Sequence, residues 1–136
     1  MAFKIAIIGT GRVGTALAAG WLTAGHSVTF GARDAGSDKA QTALSRLPAA
    51  RAAGVAEAAA GAEVVVLATP WAAAQSAVAA AGDLRGKVLI DCTNPLGPDG
   101  VLFGPNTSGA EQIAGWAARE YPGLSPAGAH VVKAFN

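Results

Sequence analysis

Short runs rich in Val, Ile and Leu alternate along the chain with stretches in which alanine and larger apolar residues recur at helical spacing. Lys4 to Gly9 is a near-continuous apolar run ending in glycine, the pattern of a strand buried on both faces. Arg12 to Gly25 reads as a helix closed by Gly25, with Val13, Leu17, Ala18, Trp21 and Leu22 on one stripe. His26 to Ala32 is a second strand candidate, and Ser37 to Leu47 a polar-faced helix ended by Pro48. From Ala49 to Gly61 the pattern is ambiguous. A short strand near Ala53 to Val55 and a helix of one to two turns fit it best.

Glu63 to Thr69 is the next strand, with Thr69 as N-cap and Pro70 at the first position of a helix that stops at Gly82. The strand from Lys87 to Thr93 runs into a Pro/Gly-rich loop, Asn94 to Gly109. Ser108 and Glu111 have capping-box spacing and open a helix through about Arg119, with Ile113 and Trp116 on its inner face. Ala129 to Phe135 is a sixth strand candidate. Strands and helices alternating with crossovers of this length predict right-handed βαβ units and a parallel sheet. The expected fold class is α/β, a doubly wound sheet of about six strands in the order 3-2-1-4-5-6, as one domain over residues 1–136.

Composition narrows the partners. Of the 136 residues, 51% are hydrophobic and 14% charged, which excludes a disordered or solvating chain. A net charge of +1 leaves no electrostatic footprint for nucleic acid and no basic run for a membrane surface. Alanine is roughly a quarter of the chain, which favours close helix packing over a bulky aromatic core. The single cysteine, Cys92, excludes an internal disulfide and a multi-cysteine metal site. The apolar N-terminus is broken by Gly9, Gly11, Arg12 and Gly14, so it does not suit a signal peptide, and no apolar run is long enough to span a bilayer. A cytoplasmic location is expected.

The chemistry begins at Gly9, Thr10, Gly11, Arg12, Val13 and Gly14, a G-x-G-x-x-G sequence that leaves a buried-type strand and opens an amphipathic helix. Gly9 permits the tight turn, Gly11 lets a pyrophosphate approach the backbone, and Gly14 lets helix and strand pack closely. The helix start then offers unpaired N–H groups to the phosphates. In this context the turn marks a Rossmann-type NAD(P)-binding domain, although a glycine turn serving packing alone has the same composition. The second strand ends in Gly31, Ala32 and Arg33 where an NAD-selective site places a carboxylate. Glycine there removes the charge that would repel a 2′-phosphate, and Arg33 offers a planar fork to bind it. Ser37 and Lys39 are close enough in sequence to contribute. NADP is the expected cofactor, unless Arg33 is a solvated side chain paired with Asp34.

Ligands of such sheets lie across the carboxyl ends of the strands. Thr69, Pro70 and Trp71 leave the fourth strand at that edge. Trp71 suits either a shield over the cofactor or a core or interface anchor, and Gln75 lies one helical turn on. Asn94 and Pro95 leave the fifth strand where a nicotinamide would lie, and Ala134 is small enough for close backbone approach. Cys92 is better read as a buried small hydrophobe than as a nucleophile. Asp91 is the better-placed carboxylate, but no His or Lys is tied to it by spacing, and His130 and Lys133 point to opposite faces of their strand. His26 reads as a surface or capping histidine. There is no triad, metal cluster or Tyr-x-x-x-Lys pair. Hydride transfer between two bound cofactors needs none, because positioning supplies most of what is required.

The ordered segments KIAIIGTGRVGTALA, GARD, VVVLATPW, DCTNPL and HVVKAFN resemble the NADP-dependent oxidoreductases that use the deazaflavin coenzyme F420. Related domains occur in pyrroline-carboxylate reductases and at the cytosolic end of membrane metalloreductases. The resemblance implies NADP(H) held by Thr10, Gly11, Arg12 and Val13, and by Ala32 and Arg33 at the 2′-phosphate with Ser37 nearby. It places Trp71, Gln75, Asn94 and Ala134 along the nicotinamide half, with a deazaflavin as second cofactor or substrate over that ring. Family members generally continue past the sixth strand into a helical segment, so the expectation is a dinucleotide domain cut at Asn136. The alternatives are a non-catalytic NADP-binding module or redox sensor, the dinucleotide domain of an imine- or pyrroline-carboxylate-type reductase, and an interaction domain without nucleotide. Small-molecule partners are expected, without nucleic acid or membrane, and the unfinished last edge suits a homo-oligomer.

Overall fold

β1 (Lys4–Ile8) lies at the centre of a parallel sheet because its residues are apolar on both faces. The structure, a computed structural model, describes residues 1–102, 106–118 and 128–135. After β1 the chain forms α1 (Arg12–Thr23), β2 (Ser27–Ala32), α2 (Asp38–Arg46), β3 (Arg51–Gly54), α3 (Val55–Ala60), β4 (Val64–Leu67), α4 (Trp71–Ala81) and β5 (Val88–Asp91). A two-residue antiparallel pair follows, β6 (Leu96–Gly97) with β7 (Gly100–Val101), then α5 (Gly109–Ala117) and β8 (His130–Lys133). The sheet order is β3-β2-β1-β4-β5-β8. β8 takes the place of the expected sixth strand, so this is the expected doubly wound order, and every pairing in the sheet is parallel.

Alternation along β1 divides the core in two. Ile5 and Ile7 pack with Val28 and Phe30 against Ala18 of α1 and Ala43 of α2. Ala6 and Ile8 face the other way, towards Ala58 of α3, Ala74 and Val78 of α4 and Ile113 of α5. Alanines at these helix positions let backbones approach the sheet closely. Asp83 and Arg85 close the turn before β5, with the carboxylate accepting the Arg85 N–H at 3.0 Å and pairing with its guanidinium. These hydrogen bonds hold the Asp83 carboxyl down to about 2.

Several local expectations shift. β3 starts two residues early, and Val55 opens α3 because its side chain is buried in the core behind the extended Gly54. α4 begins at Trp71 with Pro70 as its extended N-cap residue, so Thr69 does not cap it and Pro70 is not its first helical position. Val13 leaves the apolar stripe of α1 and is 44% exposed, because the first turn stands beyond the end of β1. Ser108 caps α5, its Oγ accepting the Glu111 N–H at 3.2 Å, and Ile113 is fully buried with Trp116 packed beside it. α5 ends at Ala117, and Arg119 lies outside the described residues, as do positions 103–105 of the preceding loop and Asn136. β8 ends at Lys133 rather than Phe135, whose φ of 61° takes the backbone out of the extended region. Among the described residues no helix is long and apolar enough to cross a membrane.

Candidate dinucleotide-binding site

The glycine turn joins β1 to α1, and its three glycines meet three different demands. Gly9 has φ +117°, and a Cβ there would stand 2.4 Å from the Ala68 carbonyl oxygen at the end of β4. A Cβ on Gly14 would meet the Gly9 carbonyl oxygen at 2.5 Å and Ile7 Cγ2 at 3.2 Å. Gly9 and Gly14 therefore set how closely β1, β4 and α1 pack. Gly11 is different, because nothing lies within 4 Å of the position its Cβ would take. Its backbone is open to an approaching group.

Gly11 is also the N-cap of α1 and supplies no side-chain cap. The first intrahelical bond runs from the Thr15 N–H to the Gly11 carbonyl at 3.0 Å, which leaves the N–H groups of Arg12, Val13 and Gly14 without helical partners. Thr10 is half-buried, and Arg12 and Val13 are exposed around this end. Open backbone, unpaired N–H groups and the positive end of a helix dipole form an anion cradle suited to a pyrophosphate.

At the end of β2 the structure reassigns one role. A Cβ on Gly31 would meet Val55 Cα at 3.3 Å and Ala58 Cβ at 3.4 Å. Gly31 thus makes room for α3 and does not open the ribose position, because its missing side chain points into the core. The half-buried Ala32 and exposed Arg33 end the strand instead. Asp34 turns its Oδ1 to the Gly36 N–H at 2.9 Å, and among the described residues Arg33 forms no ion pair with it. Ser37 caps α2, accepting the Ala40 N–H at 3.3 Å. Its acceptor is engaged in the helix, while its O–H can still donate.

Beyond β4, Thr69 Oγ1 is buried without a hydrogen-bond partner. A buried hydroxyl left unsatisfied is unfavourable, and this one lies in the chain next to Ala68, against which Gly9 packs. Pro70 is exposed. Trp71 stacks at a tilt on Trp116, with ring centroids 5.3 Å apart, and its Cζ3 would lie 3.3 Å from a Cβ on Gly109. It therefore anchors α4 to α5 and is only half-buried. Gln75 is on the exposed side of α4.

Beyond β5, Asn94 is exposed and its carbonyl accepts the Leu96 N–H at 2.8 Å, while the Pro95 carbonyl accepts the Leu102 N–H at 2.9 Å. Ala134 is half-buried, and its N–H donates to the Asp91 carbonyl at 2.9 Å. The glycine turn, Thr69, Asn94 and Ala134 thus all follow the carboxyl ends of adjacent strands β1, β4, β5 and β8.

Spacing alone missed the Asp91–Lys133 pair. The parallel register of β5 and β8 puts the two residues opposite one another. Asp91 is fully buried, with Lys133 Nζ 3.5 Å from its Oδ2. The signal available in the sequence is that each stands third from the end of its expected strand. Cys92 is buried and unpaired, and desolvation, helped by the Asp91 charge, pushes its thiol pKa up. That is the behaviour of an inert thiol. Among the described residues no group of three His, Cys, Asp or Glu side chains could hold a metal. A cavity of about 570 Å³ opens at the other end of the sheet, among the starts of β1, β2 and β3, and includes none of these site residues.

Comparison with known proteins identifies a family and a shared fold. Residues 4–95 match the family described as NADP oxidoreductase, coenzyme F420-dependent. A crystal structure of a candidate F420-dependent NADP reductase from Arthrobacter sp. is 34% identical, with a TM-score of 0.82 over 98% of this chain and 63% of that one. An imine reductase from Bacillus cereus is 28% identical, with a TM-score of 0.66 over 95% of this chain and 39% of its own. A reductive aminase from Aspergillus terreus, in complex with NADPH and ethyl levulinate, is 25% identical, with a TM-score of 0.67 over 98% of this chain and 40% of its own. The chain spans less than two thirds of the length of each of these relatives. Among curated proteins there is no match. With more than half of its residues matched, the chain belongs to the coenzyme F420-dependent NADP oxidoreductases.

Proposed function

We propose that this chain binds NADP(H) across the carboxyl ends of β1, β4, β5 and β8 and serves hydride transfer to or from a second small molecule, with a deazaflavin as the first candidate. The observation that carries this is Gly11: its backbone is open on the side where a Cβ would sit, at an uncapped helix start, between two glycines that are closed by packing. Packing alone demands glycine at positions 9 and 14 but not at 11, where a side chain would meet no protein atom, so the glycine there is left for ligand approach to account for.

The residues divide the work along the ligand. Gly9, Thr10, Gly11, Arg12, Val13 and Gly14 hold the pyrophosphate through backbone N–H groups. Arg33 binds the 2′-phosphate with its guanidinium fork, supported by Ala32, which is too small to obstruct, and by the Ser37 hydroxyl. Thr69 supplies a hydroxyl whose hydrogen bonds are unmade in the protein alone, and Pro70 fixes the start of α4. Asn94, Pro95 and Ala134 bound the nicotinamide half, with Trp71 and Gln75 on the adjoining helix. When bound, NADPH supplies the hydride, and the chain's contribution is to orient it.

The likeness to imine reductases and a reductive aminase supports a second reading, in which the acceptor is an imine. Calorimetric titration with NADPH and NADH tests the cofactor assignment. NADPH oxidation is then followed with an oxidised deazaflavin and with a cyclic imine as alternative acceptors. Binding of NADPH without oxidation by either acceptor would leave an NADP-binding module. Binding of neither nucleotide would overturn the assignment.

A further inference from the structure

The ends of β5 and β8 are tied together by a charge network that a parallel sheet does not itself require. Asp91 Oδ1 accepts the Thr93 N–H at 2.8 Å and the Thr93 hydroxyl at 2.6 Å. Its Oδ2 accepts no hydrogen bond and faces Lys133 Nζ at 3.5 Å. The same ammonium donates to the Thr93 carbonyl oxygen. Three polar groups of one residue, N–H, hydroxyl and carbonyl, are thus held by Asp91 and Lys133 together.

Burying a carboxylate is costly, and buried ion pairs are often no better for stability than apolar packing. What such a pair can provide is one fixed arrangement. Here it is built around Thr93, the residue immediately before Asn94 and Pro95, while Ala134 is bonded to the Asp91 carbonyl. The Lys133 side chain is 29% exposed and that of Asp91 is not exposed at all, so the cation sits at the site's edge and its counter-charge inside.

The geometry points to Lys133 as a positioning residue. Neutralised by Asp91, its ammonium fixes the Thr93 carbonyl and thereby the exits at Asn94–Pro95 and Ala134, which bound the nicotinamide half. This rests on the proposed NADP(H) site. It concerns the nicotinamide end alone and leaves the adenosine end to the glycine turn and Arg33.

The test compares NADPH with 2′,5′-ADP, which carries only the phosphorylated adenosine half, on the full chain and on Lys133→Met, Asp91→Asn, the double variant and Lys133→Arg. In Lys133→Met, 2′,5′-ADP affinity is expected to stay unchanged. NADPH affinity should fall by about tenfold, the scale of one lost charge-assisted hydrogen bond, and the emission of the bound reduced nicotinamide should fall with it. Removing both charges should recover the thermal midpoint without recovering that emission, and Lys133→Arg should recover the emission. If Lys133→Met fails to fold, the double variant carries the comparison.

Equal losses for the fragment and for NADPH, or full recovery of the emission in the double variant, would reduce the pair to a structural role. A parent chain that binds the fragment but gains nothing from the nicotinamide half would overturn the inference while sparing the adenosine-end assignment. A parent that binds neither would overturn both.

Discussion

A Cβ on Gly14 would lie 2.5 Å from the carbonyl oxygen of Gly9, so these two glycines set the distance between α1 and β1. Gly14→Ala should therefore lower the thermal midpoint, with a cost of about 1–3 kcal/mol for overpacking. Gly11→Ala has clear space and a φ of −80°, so it should leave the midpoint nearly unchanged while weakening NADPH binding. Thermal melts and calorimetry on the two variants separate packing from ligand approach. Equal losses of stability would abolish the distinction.

Gly31 and Arg33 are adjacent to the same strand end but should fail differently. Gly31→Asp places a charge between β2 and α3, where Val55 Cα and Ala58 Cβ stand 3.3 and 3.4 Å from its Cβ, so it should lower the thermal midpoint rather than change cofactor preference. Arg33→Ala should fold normally and lose about 10- to 100-fold in NADPH affinity, with NADH affected little, as expected for a charged hydrogen-bonding group on the 2′-phosphate. Equal losses for the two nucleotides would remove the 2′-phosphate assignment.

Thr69→Val removes a buried hydroxyl that has no partner in the protein alone. The chain without ligand should become slightly more stable, by up to about 1 kcal/mol, and should bind NADPH several-fold more weakly. A destabilised variant would show that the hydroxyl is satisfied in solution.

Cys92 makes the alkaline limb of stability predictable. Burial favours its neutral thiol, so the folded pKa lies above the unfolded value, near 9.0. The associated stability is fully present below the unfolded value and is lost as pH rises through the higher folded one. Cys92→Ala should flatten stability against pH in that window, and iodoacetamide should label Cys92 faster on addition of denaturant. Rapid labelling of the folded chain at neutral pH would contradict its burial.

Asp83 governs a small acidic effect of opposite sign. Its carboxyl is lowered to about 2 by Arg85, so the contribution is present above the ordinary carboxylate range and lost as pH falls through about 2. Asp83→Asn should reduce the pH dependence of the melt in acid, and high salt should reduce it further, since the pair is at the surface. An unchanged acid profile would show that the pair contributes nothing measurable.

The sequence by itself determined the alternation of strands and helices, the doubly wound order and the site's glycine turn. The alternation and the turn depend on short-range chemistry: apolar runs for strands buried on two faces, helical periodicity, and glycines at spacings that a strand-to-helix turn demands. The order follows from the alternation through the right-handed βαβ crossover. Ser108 is legible as a cap from local spacing, whereas the capping role of Ser37 comes from the structure. What only the tertiary structure decided involved partners distant along the chain. Gly31 reads in the sequence as an opened ribose position, but α3 packs where its side chain would be, and Thr69 reads as a helix cap, but Pro70 takes that place and leaves the Thr69 hydroxyl buried. Asp91 and Lys133 are 42 positions apart, and nothing in their spacing pairs them. The β5–β8 register does, because parallel neighbours bring the last residues of two strands side by side at the edge where ligands bind.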